Sequence, residues 1–192
     1  MNRLLADIRA CRECALHLPH GPRPVIQAHP MAKLLIIGQA PGAKVHESGV
    51  PWMDASGRQL REWLGVDDAT FYDAKQVALM PMGLCYPGKG KSGDLPPRPE
   101  CAPLWHERVR KQLKNVKLTL LIGQYSQRHY LGEAAGENLT ETVRAYEKFL
   151  PNVLPLPHPS PRNRFWQTKN KWFATELLPV LQATVAMTLA ME

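Results

Sequence analysis

Four short, nearly unbroken apolar runs stand out along the chain, at residues 33–38, 76–80, 117–122 and 153–156. Runs of this length, bounded by Gly and Pro, predict strands buried on both faces. Elsewhere apolar residues return every three or four positions, the helical period. That spacing predicts helices over 2–10, 103–113, 125–131, 139–150 and 172–189. A further helix is expected over 57–64, because Leu60, Trp63 and Leu64 share one face and Ser56 stands where an N-cap belongs. Residues 17–30, 39–56 and 81–99 lack such a period and carry Pro and Gly, so they read as loops. Strands alternating with helices predict an α/β fold: a three-layer α/β/α architecture with a central four-stranded parallel sheet, in one domain over residues 1–192. Loops that follow parallel strands collect at one edge of the sheet, where ligands bind.

Composition narrows the class. At 44% hydrophobic and 21% charged residues the chain is globular, not disordered. No apolar run looks long enough to span a bilayer, so no membrane partner is expected. The formal net charge of +7 favours an anionic partner, nucleic acid being the simplest, although a merely basic soluble protein has the same balance. The first fourteen residues show no secretory leader, which points to the reducing cytoplasm. A monomer is the default expectation.

The four cysteines are Cys11, Cys14, Cys85 and Cys101, spaced C-x2-C and C-x15-C across a long gap. Two disulfides are disfavoured without an oxidising compartment. Four thiolates can hold a structural zinc, although zinc sites usually pair two tight knuckles. They can equally hold an iron–sulfur cluster, which tolerates unequal spacing. Four unrelated core cysteines would be a third outcome. The polar context of Cys14 and the Pro/Gly-rich loop between Cys85 and Cys101 do not look like core.

Two of the loops after strands carry polar chemistry. Gly38-Gln39-Ala40-Pro41-Gly42 follows the first run, its glycines permitting close backbone approach and its proline stiffening the turn. An ordinary tight turn would use the same residues. His158-Pro159-Ser160-Pro161-Arg162-Asn163 follows the fourth run and presents an imidazole, a hydroxyl, a guanidinium and an amide on a proline-stiffened frame. Such a loop can clamp phosphates and donate a hydrogen bond to a developing anion, or it can be merely solvated.

In order along the chain, these features resemble the uracil-DNA glycosylase superfamily. The cysteine spacing is similar to the family 4 uracil-DNA glycosylases, which carry a [4Fe–4S] cluster and a G-E-A-P-G motif. Their G-x-P-F-x-G-x-x-G pattern corresponds to the stretch from Gly49 through Pro51 and Trp52 to Gly57. The second motif looks more like that of the single-strand-selective monofunctional uracil glycosylases. The resemblance implies a base-excision glycosylase acting on DNA, with a [4Fe–4S] cluster on Cys11, Cys14, Cys85 and Cys101, zinc being the alternative. It implies that His158 stabilises the departing base and that Trp52 stacks on it. Gly38, Gln39, Ala40, Pro41 and Gly42 would line the pocket. Ser160, Pro161, Arg162 and Asn163 would meet phosphate and minor groove, with Lys89, Lys91 and Arg98 as further phosphate contacts.

Three departures bear on specificity. The family 4 glutamate is Gln39, which can position water but cannot take its proton. The asparagine that reads uracil falls at Pro81, which has no side-chain donor, and the aligned phenylalanine is the larger Trp52. Asp54 is the first candidate to take over from the glutamate, with Glu47 and Asp94 behind it; Asp54 could equally cap the helix that follows. These departures keep two other outcomes open: a lesion-binding protein of the same fold without glycosylase activity, and a small cluster-bearing redox protein.

Overall fold

The computed structural model describes residues 1–191. Four strands form one sheet: β1 Leu34–Ile37, β2 Val77–Leu79, β3 Leu118–Ile122 and β4 Val153–Leu156. The order is β2-β1-β3-β4 and every pairing is parallel, with Leu34 opposite both Val77 and Leu118. Period-two alternation sends Leu34 and Ile36 to one face and Leu35 and Ile37 to the other, and each face closes a separate core. This is the expected three-layer α/β/α arrangement.

One face is covered by α3 (Ala55–Leu64), α7 (Leu139–Arg144) and α9 (Leu178–Ala190), through Leu60, Trp63, Leu64, Val143, Leu181 and Val185. The other is covered by α1 (Asn2–Arg9) and α5 (Glu107–Arg110), through Leu4, Leu5, Ile8 and Val109. The chain runs from β1 to β2 on one side and then jumps past β1 to β3. The carboxyl ends of β1 and β3 therefore diverge, and such a divergence opens a crevice.

Several local expectations are corrected. The helix after the first loop is capped by Asp54, whose Oδ1 accepts the Gly57 N–H at 2.8 Å; Ser56 lies inside the first turn. The stretch 39–56 holds the short helix α2 (Ala43–Ser48), invisible to periodicity because only Val45 of its six residues is buried. The helices α4 (Asp68–Tyr72) and α8 (Arg164–Lys169) are also unforeseen, the first with one buried residue and the second with none. The expected helix over 103–113 is a π-helical segment, Ala102–His106, running into α5, and that over 139–150 divides into α7 and a 3-10 turn, Tyr146–Phe149. The remaining helix, α6, spans Gln124–Leu131.

The expectation that no apolar run is long enough for a bilayer is also corrected. Phe173–Ala190 is one helical stretch of 18 residues with a mean hydropathy of 1.4. Its residues Phe173, Leu177, Leu181 and Val185 are buried against the sheet, and 28% of the stretch is buried in all.

Candidate active site and cysteine centre

The first wall of the site is built around one strained residue. Trp52 has φ of 58°, the left-handed region that a bulky side chain rarely enters. Such a conformation costs on the order of 1–3 kcal/mol and persists only where its surroundings impose it. Two glycines impose it here. A Cβ on Gly57 would sit 1.7 Å from the Trp52 carbonyl oxygen, and a Cβ on Gly38 would sit 2.7 Å from the indole Cζ2. The turn from Gly49 to Gly57 thus folds back on the head of α3 and lays the indole against the end of β1. The 38–42 loop is fixed from the other side by the N–H groups of Met82 and Gly83, which donate to the carbonyls of Gly38 and Gln39 at 2.9 Å.

The second wall comes from the end of β4. His158 Nδ1 accepts the Ser160 N–H at 3.2 Å, which leaves the ring proton on Nε2. Asn163 Nδ2 donates to the His158 carbonyl at 2.8 Å, and Ser160 Oγ accepts the Arg162 N–H. The imidazole lies at 5.8 Å from the Trp52 ring, inclined by 30°. Burial holds the His158 pKa below that of a free imidazole, and the Asp54 carboxylate opposes this without reversing it. The ring is therefore neutral at pH 7, with its Nε2–H available as a donor.

A hairpin over residues 88–95 roofs the cavity between these walls. Lys89 and Asp94 form a bridge, and the Leu95 N–H donates to the Gly88 carbonyl at 2.9 Å. The Gln39 side chain donates to the Leu95 carbonyl at 3.5 Å, and an Arg162 guanidinium nitrogen lies 2.8 Å from where a Gly93 Cβ would be. The cavity is open to solvent on one side and measures about 550 Å³.

His158, Gln39 and Asp54 all line this cavity, as do Trp52 and the turn of Gly38, Ala40, Pro41 and Gly42. Ser160, Arg162 and Asn163 reach it; Pro161 does not, and is exposed beside it. Of the alternative carboxylates, Asp94 lines the cavity whereas Glu47 is exposed on α2. Lys89 and Lys91 are exposed at the hairpin tip, but Arg98 is turned away to pair with Glu100 beside the cysteines.

Sequence reasoning missed His106. It is buried in the π-helical segment, with Nδ1 2.6 Å from the Tyr130 hydroxyl and Nε2 3.2 Å from the Pro81 carbonyl, beneath the cavity floor. No signal marks it, since a basic amphipathic helix and a buried imidazole look alike in one sequence.

All four cysteines line a second, small cavity, and none is in a disulfide. Cys14, Cys85 and Cys101 are buried, and burial pushes the Cys85 thiol up to about 12 and Cys101 to about 11. The Leu84 N–H points at the Cys101 sulfur at 3.5 Å. Among the described residues, no three His, Cys, Asp or Glu side chains close around a single-ion position.

The architecture and the crevice define an α/β protein with a cavity sized for a small ligand at its sheet edge. The profile of the uracil DNA glycosylase superfamily matches residues 26–182. The chain belongs to that superfamily. It is similar to the type-4 uracil-DNA glycosylase of Sulfurisphaera tokodaii, at 20% identity over 148 residues, which is 77% of this chain and 65% of that relative. The chain thus spans less than two thirds of the relative's length, and Cys11 and Cys14 precede the residues that the profile matches.

Proposed function

We propose that this chain is a monofunctional DNA glycosylase that receives a flipped uracil or other deaminated or damaged base in the Trp52 cavity and hydrolyses its N-glycosidic bond. The observation that carries the reading is the neutral His158, whose Nδ1 is held by the Ser160 amide and whose Nε2–H is free at the cavity wall. As the C1′–N bond breaks, its electron pair moves to the base, and this donor stabilises the charge on the base. Asp54, on the wall built by the Gly49–Gly57 turn, also lines the cavity and can orient water and balance the cationic sugar. Trp52 stacks on the base, while Gly38, Gln39, Ala40, Pro41 and Gly42 hold its edges. Ser160, Pro161, Arg162 and Asn163 form the stiff loop that meets the DNA backbone and minor groove.

Cys11, Cys14, Cys85 and Cys101 would hold a [4Fe–4S] cluster, with zinc as the alternative. When bound, the cluster supplies a cross-link that ties the N-terminal segment to the base of the roof hairpin. The protein acts in the cytoplasm as a monomer of one domain.

Purified protein is expected to release free base from at least one oligonucleotide in a lesion panel, with His158→Ala slower by 10²–10³-fold, the usual scale for a lost anion-stabilising donor. A panel with no release above the variant's background rejects the reading. Because Gln39 is engaged by Leu95 and Pro81 offers no donor, a lesion-binding protein is the second reading; salt-dependent binding to abasic DNA without turnover would support it.

A further inference from the structure

The structure assigns this cavity to a base that carries positive charge, an N-alkylated purine such as N7-methylguanine or N3-methyladenine. The assignment rests on the glycosylase reading above and names its substrate class.

Uracil presents an acceptor, a donor and an acceptor along one edge, and reading it takes a side-chain amide. Among the described residues, the lining amide of Gln39 gives one N–H to the Leu95 carbonyl at 3.5 Å and that of Asn163 gives one to the His158 carbonyl at 2.8 Å, which tethers both to the loops beside the cavity. Pro81 has no N–H, and His106 already approaches its carbonyl, so that position offers uracil no side-chain donor.

What the lining does offer is negative charge and a π face. Asp54 and Asp94 both line the cavity, Asp94 at its exposed rim, and each ends within van der Waals range of where a Gly42 side chain would begin. Neither is ion-paired among the described residues. Among the described residues, the permanent cation on the lining is Arg162, which lies over Gly93 at the roof. A net negative pocket in a chain of net charge +7 divides the labour: the surface attracts phosphate and the pocket attracts a cation. Trp52 adds the side chain best suited to a cation–π contact. The cavity of about 550 Å³ has room for a purine.

The chemistry agrees. When the C1′–N9 bond of an alkylated purine breaks, the electron pair cancels the charge already on the base, which leaves neutral, and the His158 Nε2–H meets the electron density that builds on it. Water bonds to C1′ and gives its proton to Asp54 or to solvent. So good a leaving group does not need the glutamate that Gln39 replaces.

The test measures binding apart from turnover, using duplexes with cleavage-resistant 2′-fluoro-arabino N7-methylguanosine or 2′-fluoro-arabino uridine. Wild type is expected to bind the methylated base at least tenfold more tightly. The double variant Asp54→Asn, Asp94→Asn should lose that preference, while His158→Ala should keep it. Asn at position 54 retains the capping oxygen, so the fold survives. Equal binding, tighter uracil binding, no binding of either duplex, or an undiminished preference in the double variant overturns the inference. Preference for the cation with no release from cleavable duplexes leaves the inference standing and rejects the glycosylase reading. Faster release of uracil than of the methylated base does the reverse.

Discussion

Gly57→Ala sets two physical effects against each other, and the geometry says which wins. Gly57 lies in the first turn of α3, so helix propensity alone predicts that alanine stabilises by about 1 kcal/mol. Yet an ideal Cβ there would lie 1.7 Å from the Trp52 carbonyl oxygen and 2.9 Å from the Trp52 Cβ. The carbonyl is backbone and cannot swing aside, so the turn at Trp52 must open. Relaxing Trp52 from its left-handed conformation returns part of the strain, on the order of 1–3 kcal/mol. Opening also strips the indole from its packing on β1 and on the core, a loss of about 3–5 kcal/mol for a large aromatic. At the midpoints of these terms the net is a destabilisation of about 1 kcal/mol. At roughly 2–4 °C per kcal/mol for a chain of this size, the melting temperature falls by about 2–4 °C. Thermal unfolding by circular dichroism reads this. A Gly57→Ala protein that melts at or above the wild-type temperature would refute the claim that Gly57 exists to seat Trp52.

The buried His106 should make the protein acid-sensitive. Its pKa is lowered to about 4 by burial, against 6.5 for a free imidazole, so the unfolded chain binds the extra proton first. Stability is full above pH 6.5 and falls by about 3 kcal/mol as pH drops to 4; His106→Phe should flatten that limb in urea titrations, and an unchanged slope counts against it. Protein purified without oxygen should be brown with about four irons per chain, and Cys101→Ser should be colourless; zinc at one per chain contradicts the cluster. Arg162→Ala should weaken binding to undamaged DNA and reduce the slope of log K against log salt by about 1; an unaltered slope removes Arg162 from the phosphate contacts.

The sheet and the two loops of the candidate site were legible because their signals are local. Buried strands need continuous apolar runs, and the runs at 33–38 and 153–156 deliver Gly38 and His158 to the same rim. Even the odd spacing from Gly49 to Gly57 has a local reason, now visible as the fold-back over Trp52. The helices α2, α4 and α8 were not legible because they bury almost nothing, and without burial a helix leaves no period. The roof was read as loop because its hairpin is held by one bridge and by contacts to Gln39 and Arg162, residues far away in sequence. His106 was invisible because its partners, Pro81 and Tyr130, lie about twenty-five residues to either side.

Gln39 joins the departures from the family pattern into one change. With a glutamate at that position, a carboxylate would face the Leu95 carbonyl, oxygen against oxygen, and the roof could not be latched as it is. An amide donates there, so the substitution that removes the water-activating group also holds the hairpin that carries Asp94. The carboxylates of this site then come from elsewhere: Asp54 from a helix cap whose second oxygen is free, Asp94 from the roof. Negative charge has moved from the end of β1 to two points flanking Gly42. For the substrate class proposed above, charge there serves attraction of a cationic base more readily than proton transfer from water, and Pro81, with no side-chain donor, is consistent with that class.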